Sequence, residues 1–226
     1  MEEGTLLDQV PLFASLQPAH LSELASKLMT RNYRQGETIF YKDDPGLLLY
    51  IVKAGQVKIT TLSPEGEEVI LAIFTDGDFF GELSLLDESP RSASAVAMVP
   101  TQAITLHRQD FLDFIAKHPE LVSDVLAALS RRLRSTDFLL EDAVFLDLPA
   151  RLAKRLLQLS ERHGIKTDAG VEIDLRLTQQ DLADLVGASR VAVNKQLRLY
   201  QARGIIRIGR QRITILRPDE LSKRIY

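Results

Sequence analysis

The chain has no cysteine among its 226 residues and only four histidines, and each scarcity closes off chemistry. Without thiols there is no disulfide, no thiolate zinc site and no cysteine-ligated iron–sulfur cluster. His20, His107, His118 and His163 lie far apart in sequence, none at metal-ligand spacing, so they are expected as core or surface side chains rather than ligands. No apolar run reaches the ~18 residues that a membrane span needs, and Met1-Glu2-Glu3 lacks the basic start of a signal peptide. The expectation is a cytoplasmic protein with no membrane partner.

Net charge is also small, at −3, but its distribution is uneven. Residues 1–148 carry 12 Lys and Arg against 23 Asp and Glu, a balance of −11, while residues 149–226 carry 16 against 8, a balance of +8. An acidic front half joined to a basic back half implies that only the back half meets a polyanion.

The most specific stretch, residues 79–95, reads F-F-G-E-L-S-L-L-D-E-S-P-R-S-A-S-A. Gly81, lacking a side chain, lets backbone N–H groups come close to a ligand. A one-turn helix starting near it aims such groups at an anion. Arg91 offers a planar fork for two phosphate oxygens, and Glu82, acceptor-only when ionised, suits a ribose hydroxyl. Gly81-Glu82-Leu83 followed by Pro90-Arg91 resembles the phosphate-binding cassette of cyclic-nucleotide-binding domains. The resemblance implies a ligand contacted by Gly81, Glu82, Leu83, Ser84, Arg91 and Ser92.

Around this cassette the hydrophobic period changes. Residues 6–31 carry helical spacing through Leu6, Val10, Phe13, Leu16, Leu21, Leu24 and Leu28, with Pro18 suited to a first helical turn. From Tyr33 onward, residues 38–41, 47–52, 56–61, 68–74 and 94–99 read as strands, separated by turns at Gly36, Gly46, Gly55, Gly66 and Gly77. A strand about every ten residues is the signature of an all-β sandwich or barrel, and with the cassette it resembles the cyclic-nucleotide β-roll. A jelly-roll enzyme with a DNA-binding tail shares the strand pattern but needs a metal cluster that the histidine spacing does not offer.

Residues 111–117 read as a short helix ending at His118-Pro119, and a second runs to about Phe145, spanning roughly 40 Å. Along it Val122, Leu126, Leu129, Leu133, Thr136, Leu140 and Ala143 fall at alternating steps of four and three, a heptad seam that predicts a parallel homodimer. Pro149 follows in the run 145–149, which is expected to break the helix as a hinge. Residues 150–162 then form a basic amphipathic helix ended by Gly164, and residues 171–177 alternate as a strand.

Thr178-Gln179-Gln180-Asp181 has capping-box character and opens a helix to Val186. Gly187 supplies a tight turn, and Ser189 caps a second helix from Arg190 to Tyr200. Helix, glycine turn, helix is a helix-turn-helix whose second helix enters the DNA major groove. Residues 205–208 and 211–216, joined through Gly209-Arg210, read as a basic wing.

Cassette, long helix and helix-turn-helix in this order resemble the CRP/FNR family of transcription regulators across essentially the whole chain, nearest its cyclic-AMP-receptor branch. The resemblance implies an α+β fold in three parts: an N-terminal cyclic-nucleotide-binding β-roll or jelly roll over 1–118, a dimerisation helix and hinge over 119–148, and a winged helix-turn-helix over 149–226. It implies a homodimer on a palindromic double-stranded operator, cAMP as allosteric effector, and RNA polymerase as a partner. Cyclic GMP, a cyclic dinucleotide or no ligand remain alternatives. Thr136 and Asp137 match the residues that reach the base. The carboxylate of Asp137 departs from the family's small polar residue. The implied DNA-facing residues are Thr178, Gln179, Ser189, Arg190, Val191, Asn194, Lys195 and Arg210. Arg190 matches a guanine reader, whereas Val191 replaces a glutamate that accepts from a cytosine amino group.

Overall fold

The computed structural model describes residues 7, 10–13 and 15–225. Leu6, the first residue of the expected N-terminal apolar pattern, lies outside them. Close contacts divide the chain into two compact units, Met1–Thr61 with Leu71–Ser135 and Leu62–Ile70 with Thr136–Tyr226.

In the first unit the apolar period of residues 6–31 is not one helix. A 3-10 turn at Pro11–Phe13 precedes α1 (Pro18–Ala25), and the chain then extends into β1 (Met29–Tyr33). The strand is illegible locally because its side chains are nearly all exposed, so it shows no alternation. What makes it a strand is its partner, β8 (Thr101–His107), paired antiparallel from Met29 opposite Thr105 to Tyr33 opposite Thr101. β8 was not anticipated either. It lies between β1 and β3 (Leu48–Ala54) and is buried along most of its length, so it too lacks a period of two.

The remaining strands are β2 (Thr38–Phe40), β4 (Val57–Leu62), β5 (Glu68–Phe74), β6 (Phe79–Phe80) and β7 (Ser94–Ala97). They form two four-stranded sheets, ordered β1-β8-β3-β6 and β2-β7-β4-β5. One apolar core joins Leu49, Ile51, Ile104 and Leu106 to Phe13, Leu24 and Phe111. A second gathers Tyr50, Val52, Phe74, Phe80 and Ala95. The cassette enters as β6, crosses Gly81, turns through α2 (Leu83–Asp87) and leaves as β7, so a sheet strand anchors each end.

α3 (Arg108–Lys117) leads into α4 (Leu121–Phe145), a helix of 25 residues. Its apolar surface is wider than one seam. Leu121, Val125 and Ala128 are buried in the first unit's core, with Leu129 partly buried against it. Leu126, Leu133 and Leu140 on the neighbouring stripe remain 58%, 64% and 66% exposed.

In the second unit α4 ends before Leu146, and Asp147 N-caps α5 (Leu148–His163) by accepting from the Ala150 N–H at 2.9 Å. Lys154 pairs with Asp142 at 2.5 Å across this break, and Arg151 donates to the Leu146 carbonyl at 2.9 Å. The break is thus bridged by side chains. Residues 171–177 are not one strand: β10 (Gly170–Ile173) ends early and pairs back on β9 (Gly164–Thr167), a hairpin the sequence did not show. Leu175 and Leu177 are buried in the loop that follows, where the Leu177 N–H donates to the Gln211 carbonyl at 3.3 Å. α6 (Gln179–Val186) and α7 (Arg190–Ala202) follow, then β11 (Ile206–Ile208), β12 (Ile213–Ile215) and α8 (Pro218–Ser222), with sheet order β11-β12-β10-β9.

Candidate functional site

The cassette of the first unit is built around Gly81, at φ +83°, a backbone that side chains rarely adopt. A Cβ there would also stand 2.7 Å from Arg91 Nη1 and 3.2 Å from the Leu48 carbonyl oxygen. The glycine therefore permits both the turn and the approach of the guanidinium. Glu82 caps the start of α2, and its carbonyl accepts from the Leu85 and Leu86 N–H groups at 3.0 and 3.2 Å. Leu83 is exposed, Ser84 buried and Ser92 exposed.

Arg91 is 3% exposed. Nη1 donates to the Gly81 carbonyl at 2.6 Å and Nη2 to the Leu48 carbonyl at 2.7 Å, while the guanidinium sits 4.3 Å above the Phe40 ring. The fork therefore holds two main-chain oxygens as well as facing the cassette. Burial lowers its proton affinity, and Tyr50, Glu82 and Asp44 oppose that effect. Nε is buried with no hydrogen-bond partner.

Glu82 is 1% exposed. Its Oε1 accepts from Arg132 Nη1 of α4, and the other terminal nitrogen of Arg132 donates to the Phe79 carbonyl. Burial raises the Glu82 pKa above its ordinary value, with Arg132 the largest opposing influence. Oε2 is buried and unpartnered. One cassette thus holds an orphaned buried donor on Arg91 and an orphaned buried acceptor on Glu82. A cleft of about 380 Å³ borders α2 between Gly46, Ser84, Pro90 and Arg108, but neither Glu82 nor Arg91 lines it.

Sequence reading missed Arg132. It stands four residues before Thr136, one helical turn, and nothing in the sequence distinguishes it from Arg131 or Arg134. Phe40, Leu48 and Gly46 were also missed. Gly46 reads as a turn residue, yet a Cβ there would fall 2.1 Å from Ser84 Cβ, so it is where α2 closes on the sheet. Thr136 and Asp137 are exposed on α4, within the second unit.

The second unit presents the other candidate surface. Thr178 and Asp181 form the expected capping box, Gly187 takes a left-handed conformation at φ +59°, and Ser189 caps α7 through the Ala192 N–H at 3.3 Å. Leu182, Leu185 and Val186 of α6 and Val193, Leu197 and Tyr200 of α7 are buried. The Tyr200 hydroxyl donates to the Pro149 carbonyl at 2.8 Å, fixing α7 to the start of α5. The opposite face of α7 is open: Arg190, Val191, Lys195 and Arg198 are exposed, Asn194 is half-buried, and Val191 reaches 81% exposure. Arg198 continues the Arg190–Asn194 row at i+8 and was not anticipated. Thr178 is exposed and Gln179 half-buried. In the wing, Arg210 is exposed, whereas Arg212 is held by Glu172 at 2.6 Å and Asp174 at 3.0 Å.

One further cluster departs from the histidine spacing. His20 and His118, remote in sequence, lie with ring centroids 4.1 Å apart, and Glu120 joins them. Tertiary packing of α1 against the α3–α4 junction brings them together, which no linear spacing reveals.

A β-roll carrying an anion-type cassette and a winged helix-turn-helix with an open basic face define a ligand-sensing, duplex-reading class of protein. Residues 30–118 match the cyclic nucleotide-binding domain family, and residues 150–224 match the Crp-like helix-turn-helix domain. A CRP-like cAMP-activated global transcriptional regulator of Mycobacterium tuberculosis is 37% identical over 219 residues, 97% of this chain and 98% of that one. A global nitrogen regulator of Synechococcus elongatus is 33% identical over 198 residues, covering 87% and 89% of the two chains. The crystal structure of the Thermus thermophilus catabolite activator protein covers 95% of this chain and 98% of its own at 34% identity, with a TM-score of 0.55. The chain belongs to the CRP/FNR family of transcription regulators. It is a DNA-binding regulator with a cyclic nucleotide-binding domain, not an enzyme, and no helix among the described residues is long and apolar enough to cross a membrane.

Proposed function

We propose that the chain is a homodimeric, sequence-specific regulator whose affinity for a palindromic operator is set allosterically by a cyclic nucleotide, with cAMP the favoured effector. The observation that carries this reading is the pair of orphaned buried atoms, Arg91 Nε and Glu82 Oε2, inside one cassette. A ribose hydroxyl beside Glu82 and a phosphate oxygen beside Arg91 satisfy both, and buried polar groups left unmade cost about 1–3 kcal/mol each. Gly81, Leu83, Ser84 and Ser92 contribute the close backbone and the small side chains of the same turn. The cAMP-activated relative, similar along nearly its whole length, supports the choice of effector.

Asp137 favours a second reading. A carboxylate accepts from the single amino group on an adenine edge, but it accepts twice from the N1–H and amino group of guanine. Cyclic GMP or a guanine-containing dinucleotide is the alternative that this residue supports. DNA contacts are assigned to Thr178, Gln179, Ser189, Arg190, Val191, Asn194, Lys195 and Arg210, with Arg198 added. Dimerisation runs through the exposed stripe Leu126–Leu133–Leu140, and the protein acts in the cytoplasm with RNA polymerase as its further partner. Ligand that binds best to the DNA-competent state raises DNA affinity by the same factor by which DNA raises ligand affinity.

Calorimetric titration with cAMP, cGMP and cyclic di-GMP, followed by operator binding with and without each, tests the reading. The expected result is one cAMP per chain and tighter DNA binding in its presence. Binding of none of the three, with DNA affinity unchanged, overturns it.

A further inference from the structure

His20, His118 and Glu120 lie in the first unit, apart from the residues proposed above for nucleotide and DNA contact. His20 is in the first turn of α1. His118 ends α3, its N–H donating to the Phe114 and Ile115 carbonyls at 3.0 and 3.2 Å, and Glu120 stands just ahead of α4. His118 is 8% exposed and its ring packs 4.4 Å from Phe114. Glu120 Oε1 is 3.4 Å from His118 Nδ1 and 3.9 Å from His20 Nδ1, and the three ligand atoms all lie within 4.8 Å of one another. His20 Nδ1 is buried with no hydrogen-bond partner.

A buried ring nitrogen with no hydrogen-bond partner, set beside a second imidazole and a carboxylate, is a donor set that suits a transition metal. Burial of one ring, an orphaned nitrogen on the other and a carboxylate facing both are unneeded for packing alone. We infer that His20, His118 and Glu120 form a binding site for a divalent transition metal of the zinc type. Two nitrogens and one oxygen suit Zn²⁺ or Co²⁺ and are too few and too nitrogen-rich for Ca²⁺ or Mg²⁺. Ligand atoms on a tetrahedral zinc lie about 3.3 Å apart, given bonds of about 2.0–2.1 Å. Reaching that from 4.8 Å takes a shift of about 1.5 Å, within side-chain rotation of the exposed Glu120 and the half-buried His20. The fourth position is left to water. Bound metal would cross-link α1 to the α3–α4 junction, so its binding energy stabilises that corner of the fold.

The test uses the full-length protein after dialysis against a chelator. Zn²⁺ binding is measured by equilibrium dialysis and Co²⁺ binding by its visible absorption, which is strong only for tetrahedral coordination. One metal per chain is expected, with a tetrahedral Co²⁺ spectrum and a rise in melting temperature on adding Zn²⁺. His20→Gln and Glu120→Gln, both at sites open enough to keep the fold, should each weaken Zn²⁺ by about tenfold or more and abolish the Co²⁺ spectrum. Circular dichroism confirms that the variants are folded. Absence of stoichiometric metal in the parent chain, or unchanged affinity in both folded variants, overturns the site.

Discussion

Arg91 and Arg190 stand on the two proposed functional surfaces, and the fold treats them in opposite ways. Arg91 is 3% exposed, anchored on two main-chain carbonyls and stacked over Phe40. Arg190 stands exposed on α7, the first residue of that helix. A buried guanidinium is costly unless its hydrogens are matched, so the cassette holds it in one orientation before any ligand arrives. An exposed one keeps its hydration and its rotamers, and it exchanges both for a base edge or phosphate only on contact. The difference predicts rigid, shape-selective recognition at the cassette and salt-sensitive, adaptable recognition at the helix.

The largest expected effect breaks the buried side of that contrast. Arg91→Leu removes the cassette's cation and also strands the carbonyls of Gly81 and Leu48. Sequence alone predicts lost ligand binding with an intact fold; the structure adds a stability cost of about 1–3 kcal/mol for each orphaned carbonyl. Cyclic-nucleotide binding should become undetectable by calorimetry and the melting temperature should fall. Arg190→Leu should leave the melting temperature within a degree or two while destroying operator binding, because its side chain supports nothing internal. Equal thermal penalties for the two variants would erase the distinction.

Next in size is the exposed stripe of α4. Leu129, although it falls on the heptad spacing, is half-buried against its own core, so a lysine there disturbs folding as well as any seam. Leu133, at 64% exposure, separates the two. Leu133→Lys should give folded monomers at micromolar concentration by sedimentation, because like charges meet across the dimer axis. A variant that still sediments as a dimer moves the interface off this stripe.

A third prediction concerns Glu82, whose pKa burial lifts above the ordinary 4.5. A raised carboxyl pKa means that the folded state holds the proton more tightly than the unfolded chain. The Glu82 contribution to stability is therefore full below about pH 4.5 and is lost as pH rises through the folded value. Urea unfolding of the wild type and Glu82→Gln across this range should show their difference shifting against the wild type with rising pH. At neutral pH the glutamine variant should also lose about tenfold or more in nucleotide affinity, since a hydrogen bond to a charged acceptor is worth about 1.5–3 kcal/mol. A pH-independent difference in stability would mean that Arg132 neutralises the burial effect completely.

These sites differ in how legible they are. Gly81, Glu82 and Arg91 fall within eleven consecutive residues, so their proximity is already visible in the sequence. The helix-turn-helix is readable because capping residues and a left-handed glycine are local signals, and all three appear where expected. Arg132, Leu48 and Phe40 reach the cassette from distant segments, and no local pattern marks them. β8 was invisible because central burial erases its alternation, and β1 because exposure does the same. Periodicity reports half-buried elements and is silent at both extremes. The cluster of His118 and Glu120 with His20 is equally silent, because packing alone brings His20 to the other two.

The smallest effect is a matter of preference at one base pair, and it sharpens the exposed side of the comparison. Val191 neighbours Arg190 on the open face of α7 and is 81% exposed, an apolar side chain with no core to serve. Arg190 can fork onto the O6 and N7 of one guanine, worth about 1–3 kcal/mol of discrimination. Valine accepts no hydrogen bond, so the adjacent pair should be read loosely, with at most a methyl contact to thymine. Val191→Glu supplies an acceptor for a cytosine amino group and should sharpen preference there by a similar ~1–3 kcal/mol. The salt slope should stay nearly unchanged, because no phosphate contact is added or removed. Selection from a randomised half-site library, run for both proteins at one salt concentration, measures the difference. If the parent protein already selects cytosine as sharply as the variant, specificity at that pair comes from DNA shape or from Asn194, one turn further along the same face.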